Sequence, residues 1–336
     1  MSRTASTLGF LVLGCVALMA CAPSSDPVDE GGGDGASAGT TGDSETGDTD
    51  TGDTDTGNAD DGAAPCPDSP LPPGLHPLEI EHGGETRVYD LYIPASHDGT
   101  EPTPVVFNLH PLVLGGALHG IWTSESGMND KAEEAGFLVI QPDGTGTPAS
   151  WNAGADCCSP ANTEGKDDTG LIQAIAEEIE SLACVHRKRI YAVGMSNGGY
   201  LSHRLACEES QFVAAIGPVV GSLSTELECD LQRGVPVVQI SGSEDNLASR
   251  EQSFQTWRDL NGCTDEAEET YSNGSATCVT HDECDDGVSI THCVVEGGGH
   301  CWFSDISPQF SPGCTTTTDL ITPDVLWDFL SQYSLP

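Results

Sequence analysis

Runs of apolar residues alternate with amphipathic segments along the chain beyond residue 65. Continuous apolar runs are typical of strands buried on both faces of a sheet. Apolar residues at helical spacing, such as Leu171, Ile175 and Ile179, predict amphipathic helices between those strands. The alternation predicts an α/β class with a mainly parallel sheet covered by helices on both faces. The predicted strands lie at 86–94, 104–110, 137–142, 189–194, 235–242 and 289–296.

The first 65 residues predict processing and linker segments rather than a fold. Residues 1–21 hold an apolar stretch too short to span a membrane and then LMAC, which resembles a bacterial lipobox with Cys21 as the lipidated residue. An ordinary signal peptide stays open as the alternative. Residues 22–65 carry twelve acidic residues and no Lys or Arg, which predicts a disordered linker.

The folded part of the chain is expected to be residues 66–336, as one large domain. It holds 41 acidic and 10 basic residues, a formal net charge of −31. Such a charge argues against a nucleic acid or an anionic membrane surface as a partner. We therefore expect an exported protein whose only membrane contact is the lipid on Cys21, held at the bacterial cell surface or in the periplasm, or secreted.

Cysteine usage agrees with export. Twelve cysteines lie in residues 66–336, and an even number in an exported domain predicts up to six disulfides. The neighbours Cys157 and Cys158 are expected to bond to different partners, because a bond between adjacent residues is strained. Structural zinc on Cys278, His281 and Cys284 stays open as a minor alternative, although no C-x-x-C pair is present. We predict no metal and no cofactor.

The segment YAVGMSNGGYLSHRLA at 191–206 predicts a strand that turns sharply into a helix at Ser196. Gly194, Ser196 and Gly198 form G-x-S-x-G, in which small residues allow strand and helix to crowd together and expose the serine oxygen. Glycine-rich turns of this kind are common, so this motif alone is weak evidence for a serine nucleophile. A serine nucleophile also needs a base, and the base needs an orienting acid.

Two later loops carry that base and acid in the required order. Asp245 follows the strand at 235–242, and His300 follows the strand at 289–296. The carboxyl ends of parallel strands meet at one edge of a sheet, so we expect Ser196, Asp245 and His300 to form a triad there. Glu244 is the alternative acid. Solvated acids and structural histidines are the ordinary reading of each residue taken singly.

The oxyanion of an acyl-transfer reaction needs two donors. The backbone N–H of Asn197 is the first, and the loop after the strand at 104–110 should supply the second. Pro111 has no N–H, so Leu112 is the first possible donor past His110. Trp151 and Trp302, with His110, are candidates for substrate contact, and either tryptophan could equally be core.

Five motifs carry a resemblance to a known family and lie along the chain in this order: SWNAGADCC, KDDTGLI, GMSNGGY, GSED and GGGHCW. Over roughly residues 75–334 the chain resembles the secreted poly(3-hydroxybutyrate) depolymerase and feruloyl esterase group of the α/β-hydrolases. The resemblance implies a serine esterase with Ser196, Asp245 and His300 as its triad. It also implies a disulfide between Cys263 and Cys284.

Three functions remain open on the sequence. The first is depolymerase-like hydrolysis of hydroxyalkanoate esters or oligomers, which leads. The second is a feruloyl or acetylxylan esterase acting on plant polysaccharide esters, which shares the mechanism and differs in the pocket. The third is a non-catalytic surface binding protein on the same fold, for which a lost triad member would be the expected sign.

Overall fold

The computed structural model of the protein describes residues 65–113, 117–305, 314 and 317–336. These residues all belong to one compact unit, Gly57–Pro336. The predicted signal segment 1–21 with Cys21, and the predicted linker up to residue 64, lie outside the described residues, so the lipid anchor stays a prediction. Within the described ranges, no helix combines the length and the apolar character needed to cross a membrane.

A single ten-stranded sheet forms the centre of the domain, in the order β1-β2-β4-β3-β5-β6-β7-β10-β9-β8. The six strands from β4 to β10 in this order run parallel, and the two outer pairs at each edge are antiparallel. The strands are β1 (Gly74–His82), β2 (Glu85–Ile93), β3 (Thr103–Leu109), β4 (Leu138–Pro142), β5 (Val185–Met195), β6 (Ala215–Val219), β7 (Val237–Gly242), β8 (Glu268–Asn273), β9 (Ala276–His281) and β10 (Ile290–Val295).

Helices cover both faces of this sheet, as the apolar patterns predict. Alternate residues of β3 enter two separate cores, with Phe107 on one face and Val106 on the other. Leu171 and Leu201 pack on the first face, and Leu326 packs on the second. Each such fully buried side chain stabilises the fold by about 1.5–3 kcal/mol. The helices are α1 (Ala117–Glu125), α2 (Met128–Ala135), α3 (Asp168–Ile179), α4 (Asn197–Glu208), α5 (Arg250–Leu260) and α6 (Thr322–Leu330).

Four of the ten strands were not predicted: β1, β6, and the pair β8 and β9, which form a hairpin. Strands β8 and β9 pair antiparallel at the sheet edge, and every residue of β8 is exposed. An edge strand without a buried face has no alternating apolar pattern to reveal it. The signal that could have found it is Asn273-Gly274 at the turn, where Gly274 has a φ of 55°.

Among the described residues, six disulfides link the twelve cysteines of the segment 66–336, which indicates a domain that folds in an oxidising compartment outside the cytoplasm. The pair Cys263–Cys284, implied by the family resemblance, is present. The expectation for Cys157 and Cys158 was wrong, because these neighbours bond to each other with their Cα atoms 3.1 Å apart. The other ten cysteines are paired elsewhere: Cys66–Cys184, Cys207–Cys229, Cys263–Cys284, Cys278–Cys293 and Cys301–Cys314.

Candidate active site

Ser196 lies in the turn between β5 and α4, with φ 52° and ψ −119°. A residue with a side chain adopts such a positive φ only when its surroundings impose it. Here the surroundings are backbone: a Cβ built on Gly194 would lie 2.6 Å from the carbonyl of Gly198, and one on Gly198 would lie 2.1 Å from the Leu109 oxygen. The Ser196 N–H is fixed to the Val219 oxygen at 2.9 Å. The two glycines of the motif are therefore required by the close approach of β5, α4 and the end of β3.

Asp245 and His300 meet at the same edge of the sheet, as the order of strands predicts. Nδ1 of His300 lies 2.9 Å from Oδ2 of Asp245, whose side chain is 1% exposed, while the imidazole is 23% exposed. Because a carboxylate can only accept, the Nδ1–H of His300 is the donor in this bond. The second oxygen, Oδ1 of Asp245, accepts the Leu247 N–H at 2.8 Å.

The alternative acid, Glu244, does not take this position. Its side chain is exposed, and its backbone N–H donates to the Gly298 oxygen at 2.8 Å. That bond joins the loop after β7 to the loop after β10. It therefore helps to set Asp245 beside His300 without offering a carboxylate to the imidazole.

The two candidate oxyanion donors lie on neighbouring elements. Asn197 is the first residue of α4, and the first N–H groups of a helix have no partner inside it. Such a helix N-terminus favours an anion. Leu112 follows β3 in a bend, and the next residue, Val113, pairs in both directions with Ala149 at 3.1 and 2.9 Å.

The three residues considered for substrate contact are buried. His110 and Trp151 are 0% exposed and Trp302 is 1% exposed. The Trp302 indole donates to the Ser126 oxygen at 2.9 Å and packs edge-on against Trp122 at 5.0 Å between ring centroids. Trp151 belongs to the hydrophobic core on one face of the sheet, and Trp302 to the core on the other. Leu112, two residues after His110, is 40% exposed, and Leu247, two residues after Asp245, is 67% exposed.

A buried ion pair that sequence reasoning missed supports the loops of the site. Arg87 donates from two nitrogens to Oδ1 of Asp168, each at 3.1 Å, and to the Asp143 oxygen at 2.8 Å. The other oxygen of Asp168 accepts the Asn152 N–H at 2.7 Å. Asp168 stands in the motif KDDTGLI, so the motif marked a structural position whose partner on β2 could not be read from spacing.

Comparison with known proteins finds relatives that are named as esterases. The chain matches no protein-family model. It is 29% identical over 267 residues to feruloyl esterase B of Piromyces equi, covering 72% of this chain and 44% of that protein. It is 24% identical over 254 residues to a bifunctional acetylxylan esterase/xylanase of Neocallimastix patriciarum, covering 73% of this chain and 33% of that protein. The chain thus spans less than half of each of these relatives.

Comparison with solved structures gives the fold class. The acetyl xylan esterase from Aspergillus awamori superposes with a TM-score of 0.56 at 13% identity, covering 77% of this chain and 99% of that chain. At this identity the likeness concerns the fold alone. The fold is that of an α/β-hydrolase, stabilised by disulfides, which confirms the prediction from the sequence.

Proposed function

We propose that the protein is a serine carboxylic-ester hydrolase in which Ser196, His300 and Asp245 form the catalytic triad. The observation that carries the proposal is the Asp245–His300 bond of 2.9 Å, on loops beyond the carboxyl ends of β7 and β10. Ser196 directly follows β5, which is parallel to both strands, and has the strained backbone conformation expected of a nucleophile in this turn. All three members of the triad are present, which disfavours a non-catalytic binding protein on this fold.

The chemistry follows from this arrangement. Oγ of Ser196 attacks the ester carbonyl carbon, and its proton passes to Nε2 of His300. The carbonyl oxygen becomes an oxyanion, which the N–H groups of Asn197 and Leu112 stabilise. The bond to the alcohol breaks, and His300 gives its proton to the leaving oxygen. Water then attacks the acyl-enzyme by the same route, which releases the acid and returns the proton to Ser196.

For the substrate we propose feruloyl or acetyl esters of plant polysaccharides. The support is that relatives from two organisms are named for these esters. None of the relatives named above is a depolymerase, so the hydroxyalkanoate esters that the motifs favour have less support. The exposed side chains are those of Leu112, whose N–H is the proposed second oxyanion donor, and of Leu247, whose N–H donates to the proposed catalytic acid. Their apolar surface suits an acyl group with little charge.

A competition experiment tests the activity and the substrate together. The full chain is given methyl ferulate, acetylated xylan and a 3-hydroxybutyrate oligomer in one vessel, and the released acids are measured, with Ser196→Ala as the blank. Ferulate or acetate in excess is the expected result. Hydroxybutyrate in excess would overturn the substrate, and equal release by Ser196→Ala would overturn the mechanism.

A further inference from the structure

The Asn197 side chain is bonded to the main chain of Trp151 in both directions. Its Oδ1 accepts the Trp151 N–H at 2.7 Å, and its Nδ2 donates to the Trp151 oxygen at 3.1 Å. Both residues are 0% exposed. Trp151 belongs to no strand, so the amide replaces the pairing that its buried backbone groups need. The residue after the nucleophile thus fixes Trp151 to the N-terminus of α4.

Trp151 in turn holds the start of the loop after β3. Its indole N–H donates to the His110 oxygen at 2.9 Å, and the indole and imidazole centroids are 4.7 Å apart. The imidazole is bonded at both nitrogens. Nε2 accepts the Gly144 N–H at 2.8 Å, so the neutral ring carries its proton on Nδ1, which donates to the Pro111 oxygen at 2.7 Å.

The bond from Nδ1 of His110 to the Pro111 oxygen restrains the peptide plane between Pro111 and Leu112. The Pro111 carbonyl and the Leu112 N–H belong to one rigid peptide unit, in which the two groups point in opposite directions when the bond is trans. Holding the Pro111 oxygen against the ring of His110 therefore fixes the direction of the Leu112 N–H. Pro111 itself has no N–H, so this plane carries the first donor that the loop can offer.

We propose that His110 is a positioning residue for the oxyanion hole. Its Nδ1–H orients the Pro111–Leu112 peptide, while Trp151, clamped by Asn197, holds the His110 main chain. The inference rests on the proposed function and adds to it a role for His110 other than substrate contact. It also explains how two donors on separate elements, α4 and the loop after β3, keep one relative position.

Two substitutions of His110 distinguish the contributions of its two ring nitrogens, Nδ1 and Nε2. In His110→Asn the side-chain amide stands near the place of Nδ1 and can still donate to the Pro111 oxygen. In His110→Gln the amide reaches the place of Nε2, so the contact with Gly144 is kept and the donor to Pro111 is lost. A role in packing alone would favour the larger Gln, whereas the positioning role favours Asn.

The experiment measures kcat and KM of the full chain on the ester it hydrolyses best, together with inhibition by phenylboronic acid, whose tetrahedral adduct on a serine places an oxygen in the oxyanion hole. For His110→Gln we expect kcat to fall about 10- to 100-fold, with KM within about twofold of wild type, since a misplaced group affects the transition state more than the ground state. Boronate affinity should fall with kcat, and His110→Asn should recover most of both.

Trp151→Phe keeps the ring and removes the bond to the His110 oxygen, so it tests the inference if His110→Gln does not fold. Its matched control is Trp257→Phe, because Trp257 is equally buried and its indole also donates at 2.9 Å, to His203 away from the loop. We expect a loss of kcat for Trp151→Phe only.

Equal kcat for His110→Asn and His110→Gln, with Trp151→Phe no worse than Trp257→Phe, would overturn the positioning role. A wild-type chain without esterase activity, or a Ser196→Ala variant with the wild-type rate, would overturn the proposed function instead. The two failures are therefore distinguishable in one set of measurements.

Discussion

Asp245 holds His300 with one carboxylate oxygen and the Leu247 N–H with the other, at 2.9 and 2.8 Å. The carboxylate is thus fixed at both oxygens, and it orients the imidazole through Nδ1. In a triad the acid selects the tautomer of the base and stabilises the imidazolium that forms during the reaction. The orientation of the carboxylate is therefore expected to matter more than its charge alone.

Asp245→Asn is expected to lower kcat about 10⁴-fold while the protein stays folded, because an amide in this place favours the wrong tautomer of the imidazole. The measurement is kcat on the best ester, with thermal unfolding as the check on folding. Glu244→Gln is the matched control, since Glu244 is the exposed neighbour in the sequence. A similar loss in both variants would contradict the assignment of the acid.

Arg87→Met is expected to destabilise the protein by about 3–5 kcal/mol, because it leaves Asp168 as a buried charge without its partner. The side chains of Arg87 and Asp168 are 6% and 0% exposed. The control is Arg187→Met, which breaks a pair with Glu180 in which Arg187 is 54% exposed, and exposed pairs contribute about 0–1 kcal/mol. Urea unfolding measures both free energies, and equal losses would show that the buried pair has no special role.

Stability is expected to fall as the pH is lowered from 7 to 5. Burial lowers the pKa of His203 to about 3 and the pKa of His292 to about 4. Below the ordinary histidine pKa of about 6.5, His203 and His292 bind protons in the unfolded chain but not in the folded protein. The contribution of these two histidines to the free energy of unfolding is therefore complete above about pH 6.5. It is lost as the pH falls towards the folded pKa values, by up to about 1.4 kcal/mol per pH unit for each residue.

The variant His292→Gln tests this pH dependence. Nε2 of His292 lies 3.1 Å from the Ser241 hydroxyl, and a glutamine amide can keep a hydrogen bond there without titrating. We expect a shallower dependence of the unfolding free energy on pH between 6 and 5 than in the wild type. An unchanged slope would mean that His292 does not contribute to it.

The sequence was enough to predict the elements whose conformation depends on residues close together along the chain. Strands β3, β4 and β7 carry continuous apolar runs, and the turn at Ser196 carries its own glycines, so these features could be predicted directly. Strand β8 could not, because an exposed edge strand such as Glu268–Asn273 has no buried face to impose a pattern. The pairing of Cys157 with Cys158 also escaped prediction, since it depends on which other cysteines the fold brings together.

The site shows the same division. The order of Ser196, Asp245 and His300 along the chain was enough to predict that the acid and base meet. The proposed roles of His110, Trp151 and the Asn197 side chain were not accessible from the sequence. The bonds of His110 to Gly144, of Trp151 to His110 and of Asn197 to Trp151 join residues 34 to 46 positions apart through the packing of loops. A buried histidine and a buried tryptophan look the same in a sequence whether they contact substrate or hold a main chain.

The identity of the nucleophile can be tested with a phosphonate ester that carries a good leaving group and forms a stable bond to an activated serine. The full chain is treated, digested with trypsin and sequenced by mass spectrometry across residues 190–204, which contain Ser196 and also Ser202, a buried helical serine that donates to the Gly198 oxygen. The account predicts labelling of Ser196 alone, abolished in His300→Ala, with ester hydrolysis lost in proportion to the label. Labelling elsewhere, or full hydrolysis by a completely labelled protein, would contradict it.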